Sequence, residues 1–100
     1  MLNRARALEI LRQQRSRLES RGISHAGVFG SLARDEAQAS SDIDIVVTPA
    51  SGRRLDLIEL GAVQSLLEDA FAGFDVDLLV DPIRRPDLLA AVSRDRANAF

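Results

Sequence analysis

Along this chain the spacing of apolar positions changes from helical to alternating and back, and the changes divide it into seven elements. From residue 3 to about 21, Leu8, Leu11, Arg15 with its apolar stem, and Leu18 recur at steps of three or four, which is one face of a helix. Gly22 is a natural stop. Ile23 to Phe29 is a short apolar stretch running into Gly30-Ser31, the pattern of a buried strand that ends in a tight turn. Ser31 is placed to cap a short helix through Leu32, Ala33 and Arg34, and the polar segment Asp35 to Ser41 reads as the tail of that helix and a loop. Ile43, Ile45 and Val47 alternate with Asp42, Asp44 and Val46, a second strand ended by Pro49 and Gly52.

The second half repeats the alternation of types. Leu55 to about Phe71 is a long helix with Leu60, Val63, Leu67 and Ala70 as its apolar stripe, widened by Ile58, Ala62 and Leu66, and Gly73 closes it. Phe74, Val76, Leu78 and Val80 alternate with Asp75, Asp77 and Leu79 in a third strand that ends before Asp81-Pro82. Asp87 to Asn98 reads as a last helix, with Leu88, Leu89, Val92 and Phe100 facing inward. The order α-β-α-β-α-β-α predicts an α/β (α+β) fold, a small mixed sheet of about three strands flanked by helices. Residues 1–100 make one domain, with no repeat and no linker.

Composition narrows the function. Four Phe are the only aromatic residues, so the core is aliphatic and no platform for stacking bases stands out. A net charge of −2 provides no global attraction to a phosphate backbone, which makes direct nucleic-acid binding unlikely to be the main role. The chain has no Cys, no apolar run of the roughly 20 residues that span a bilayer, and an N-terminus too interrupted by charge for a signal sequence. A cytoplasmic protein without membrane attachment is the expectation. All 13 basic residues are Arg, which either reflects compositional bias of the source genome or serves bidentate phosphate contacts.

The chemistry concentrates in two places. Asp42 and Asp44 lie two residues apart on one strand, so their side chains share a face, with Cα atoms about 6.5 to 7 Å apart. Carboxylates flanked by Ile and Val are unfavourable in an apolar sheet unless they sit at an edge, are paired, or hold a cation. Taken alone, the pair can equally be a solvated strand face. Gly30-Ser31 taken alone is a turn with a helix cap. Together they place free backbone N–H groups and a hydroxyl beside a magnesium-type ligand set, as nucleotidyl transfer requires.

These residues resemble a known family, the minimal nucleotidyltransferases of the DNA-polymerase-beta-like superfamily. The family pattern is Gly-Ser-x-Ala-Arg-Gly, a variable loop, then Ser-Asp-x-Asp and apolar residues, with a third Asp on a later strand. Gly30, Ser31, Ala33, Arg34, Ser41, Asp42 and Asp44 match it, and the third carboxylate maps onto Asp77 in preference to Asp75. One position departs, Asp35 standing where the family has Gly, which bears on the geometry of that helix end. The resemblance covers the whole chain and implies attack of an acceptor hydroxyl on the α-phosphate of ATP. It implies magnesium on Asp42, Asp44 and Asp77, phosphate contacts from Gly30 and Ser31, and a turn-stabilising role for Ser41. Arg34 either neutralises developing charge or pairs outward with Asp35 or Glu36.

Small members of that family act as antitoxins beside a HEPN protein, an all-helical RNase toxin, by adding AMP to a tyrosine of the toxin. The resemblance therefore implies a protein adenylyltransferase with a HEPN partner, in a homo- or hetero-oligomer of open stoichiometry. A non-catalytic module that neutralises a toxin by covering it is the alternative. A small-molecule nucleotidyltransferase would need a further substrate pocket. His25, the only histidine, reads as an ordinary surface or boundary residue. Arg53-Arg54, Arg84-Arg85 and the Arg series from Arg4 to Arg21 read as solvated charge, with contact to ligand phosphates, RNA or an acidic partner as the other possibility.

Overall fold

The computed structural model describes residues 2–36 and 42–100. Its elements are α1 (Arg4–Gln13), α2 (Arg15–Ser20), β1 (Ile23–Val28), α3 (Gly30–Ala33), β2 (Ile43–Pro49), α4 (Leu57–Ala70), β3 (Val76–Val80), α5 (Pro86–Asp95) and β4 (Ala97–Asn98). The strands form one sheet in the order β3-β2-β1-β4. β1 runs antiparallel to both β2 and β4, while β2 and β3 are parallel, joined by the crossover through α4.

The two faces of this sheet have different jobs. Ile43, Ile45 and Val47 of β2, with Ile23, Ala26 and Val28 near and along β1, point into the main core, where Ala7, Leu11, Leu18, Val63, Leu67 and Phe71 cover them. The residues between them point the other way. On that second face Val46 is fully buried with Phe29 and Val92 of α5, and Leu79 and Ile83 pack around them. Asp44 shares the face of Val46, since both alternate with the core positions. The acidic end of β2 is therefore on the face against which α5 packs.

Several expectations are corrected. The helix expected over residues 3–21 is two, broken at Gln14, whose N–H donates to both Ile10 O (3.2 Å) and Leu11 O (3.0 Å). The buried stripe is Ala7, Leu11 and Leu18, and Arg15 stays outside with its guanidinium 5.1 Å above the Phe100 ring. In α4, Leu57 and Ile58 are 87% and 84% exposed, so Ile58 does not widen the stripe. A capping box between Asp56 and Glu59 holds that first turn, so local hydrogen bonds rather than burial define it. The last helix stops at Asp95 and leaves Leu89 48% exposed, and Ala97–Asn98 forms a fourth, edge strand paired with Val28 and Gly27. No described helix is long and apolar enough to cross a membrane.

Candidate nucleotide and metal site

The site begins with strand register. β2 and β3 are parallel with Asp44 opposite Asp77, so the two side chains leave the same face from adjacent backbones. Asp42 lies just before β2, two residues from Asp44, and is exposed, as Asp77 is. Asp75 supplies its carbonyl to Ile43 N–H at 2.8 Å, a ladder contact that locks the register in which Asp77, not Asp75, meets Asp44.

The crowding of negative charge is visible in proton affinity. Partial burial raises the Asp44 carboxyl from its ordinary 3.8 to about 6, and the charges of Asp77 and Asp42 push in the same direction. Asp77 is also a hydrogen-bond partner of the protonated form, while the positive charge of Arg34 acts against the rise. A cation would remove this penalty. Among the described residues, however, no three acidic or histidine side chains form a ready-made metal cage. What the fold assembles is a close pair, Asp44 and Asp77, with Asp42 adjacent.

The glycine-serine turn abuts that pair. Phe29 N–H donates to Asp44 O at 3.1 Å, which brings the end of β1 beside the start of β2. Gly30 then turns with φ of +68°, a region that penalises a Cβ. A methyl group there would also collide with Oδ2 of Asp44. Glycine is thus favoured twice, by the turn and by the space the carboxylate takes. Because Gly30 is itself the first residue of α3, Ser31 sits inside the helix and does not cap it, correcting the expected role.

The remaining motif residues divide. Arg34 pairs with Glu36 (Nε to Oε2, 3.0 Å) and with Asp95 (Nη1 to Oδ2, 2.5 Å), not with Asp35, yet its charge is felt at Asp44. Asp35 adopts φ of +57°, the conformation for which glycine is the usual residue, and its Oδ1 accepts the Arg4 N–H at 2.8 Å at the start of α1. The departure from the family pattern keeps the turn and adds a helix cap. Ser41 lies outside the described residues. His25 is exposed on β1, Arg53 pairs with Glu59, and Arg85 with Asp87 at 2.9 Å.

Sequence reasoning missed two polar features. Asp95, read only as part of the last helix, has a side chain 6% exposed between Arg34 and Arg94. Arg94 and then Arg34 hold its carboxyl below the usual range, against the opposing effect of burial. At the other end of the same sheet face, Arg96 donates to Asp81 Oδ2 (2.8 Å) and Thr48 Oγ1 (3.1 Å), tying the start of β4 across to β2 and β3. Both features join residues far apart in sequence, and local spacing contains no signal for either.

Known proteins share this fold. The family described as polymerase beta, nucleotidyltransferase matches residues 12–94. A protein of Methanocaldococcus jannaschii named a protein adenylyltransferase is 40% identical over 58 residues, 58% of this chain and 59% of that protein, so the chain spans less than two thirds of it. A minimal nucleotidyltransferase of solved structure is 32% identical with a TM-score of 0.69, over 94% of this chain and 89% of that one. A toxin-antitoxin crystal structure with AMP-PNP has a TM-score of 0.73 at 22% identity, over 93% of this chain and 72% of that one. The Shewanella oneidensis complex of a tri-AMPylated HEPN toxin with its MNT antitoxin gives 0.64 at 21%, over 93% and 71%. The last two share the fold. With a family match across most of its length, and with the carboxylate pair and glycine turn where the fold places them, this chain belongs to the polymerase beta nucleotidyltransferase family.

Proposed function

We propose that this chain transfers AMP from ATP to a hydroxyl of a partner protein, a HEPN RNase toxin, and so acts as its antitoxin. The observation that supports it most is the register of Asp44 against Asp77 beside a glycine turn in which a side chain would be strained and would crowd Asp44. The relative from Methanocaldococcus jannaschii, named for protein adenylylation, and the complex containing an AMPylated toxin support the choice of acceptor.

Asp42, Asp44 and Asp77 would hold magnesium. Their hard carboxylate oxygens suit it, and the incomplete cage is in keeping with a cation that commonly takes one or two carboxylates and draws its other ligands from water and phosphate. When bound, the ion supplies charge neutralisation for the triphosphate. Gly30 lets the phosphates approach the backbone, and the Ser31 hydroxyl, not spent on a cap, is free to donate to a phosphate oxygen. Arg34 would neutralise charge that develops in the transfer. Asp77 is exposed and stands to accept the proton of the attacking hydroxyl as the new oxygen–phosphorus bond forms and pyrophosphate leaves. Ser41 would steady the loop before β2.

The test is incubation with α-labelled ATP, magnesium and a purified HEPN toxin. Label should pass to the toxin and disappear with Asp42→Ala plus Asp44→Ala. A toxin silenced by complex formation without any label would refute the catalytic reading in favour of a binding module.

A further inference from the structure

Asp95 occupies a position that helix stability alone does not favour. It is the last residue of α5, where the unpaired carbonyls make the helix end negative and a cation is preferred. Its side chain is nevertheless an acid, and 6% exposed. A carboxylate in that field is favoured only with cationic partners beside it. It has two, Arg94 Nε at 3.3 Å and Arg34 Nη1 at 2.5 Å.

Arg34 needs an anchor in turn. It follows α3, a helix of four residues, too short to be stable on its own and ended by the left-handed Asp35. Of its two acidic partners, the Glu36 side chain is 63% exposed and that of Asp95 6%. Glu36 accepts from Nε at 3.0 Å and Asp95 from Nη1 at 2.5 Å, so two acids from separate segments hold the guanidinium. Its own backbone N–H donates to Gly30 O at 3.3 Å, so the residue stands one helical turn from the glycine that abuts Asp44.

We infer that Asp95 is a positioning residue for nucleotidyl transfer: its carboxylate grips Arg34 and holds that charge beside the Gly30–Asp44 site. The inference rests on the transfer reaction proposed above. Asp95 touches no reacting atom and acts only through Arg34, so the end of α5 governs a site built at the start of β2.

A mutant cycle tests it. With labelled ATP, magnesium and a HEPN toxin as acceptor, Asp95→Asn should lower kcat by about tenfold or more, as misplacement of a charge-stabilising group does, while KM for ATP changes by less than about twofold. Asp95→Glu should recover part of the loss. In an Arg34→Gln background, Asp95→Asn should cause no further loss, and melting curves should show every variant folded at the assay temperature. Unchanged kcat in Asp95→Asn, or the same fractional loss with and without Arg34, would overturn the inference while leaving the transfer reaction intact. A wild-type chain that neither binds ATP by calorimetry nor labels the toxin would overturn both.

Discussion

Replacing Asp44 with Asn should make the ligand-free protein more stable at neutral pH and abolish its chemistry. In the folded chain the carboxyl titrates near 6 rather than 3.8, so between those values the folded state holds a proton that the unfolded state has released. Stability must therefore fall as pH rises from about 4 to about 6, and the deficit is fully present above that window. At about 1.4 kcal/mol per tenfold change in proton affinity, the shift corresponds to about 3 kcal/mol. Asp44 is only partly buried, and screening by solvent brings the expected gain of the neutral amide to about 1–2 kcal/mol. For a domain of this size that is a rise in Tm on the order of 5–10 °C. Melting curves of both proteins from pH 4 to 8, without divalent cations, should show a difference near zero at the acid end that widens to a plateau above pH 6. Magnesium with ATP should raise Tm of the wild type and leave the variant unmoved. A variant less stable than wild type at pH 8, or an advantage that persists unchanged at pH 4, would refute the electrostatic account.

Other consequences concern backbone and packing. Gly30→Ala should destabilise by about 1–2 kcal/mol for the left-handed conformation alone and by more for the collision with Asp44, with loss of nucleotide binding measured by calorimetry. At position 35, Asp35→Gly should stay within about 1 kcal/mol of wild type, because relief of backbone strain offsets the lost cap on α1. Asp35→Ala, which loses the cap and keeps the strain, should be the less stable of the two in urea titrations. Leu67→Ala, fully buried in α4, should cost about 2–5 kcal/mol, whereas Ile58→Ser, 84% exposed, should change stability by less than about 0.5 kcal/mol.

What could be read from the chain was local in origin. The alternation of Ile43, Ile45 and Val47 with Asp44 and Val46 determined a strand and put Asp44 on the face away from the main core, because side chains alternate with period two. Gly30 and Ser31 marked a turn for the same kind of reason. The type of each long element followed from its spacing, although the break at Gln14 did not. Tertiary structure alone decided which strands became neighbours, and with them that Asp77 would lie opposite Asp44, whose carboxyl partial burial and then the Asp77 charge push up to about 6. It also decided the two-residue strand β4, too short to show alternation, and the pairing of Arg34 with Asp95, which lie 61 residues apart. Periodicity records how one segment meets solvent and core. Charge and hydrogen-bond partners depend on what the packed chain brings alongside, and spacing within a segment has no term for that.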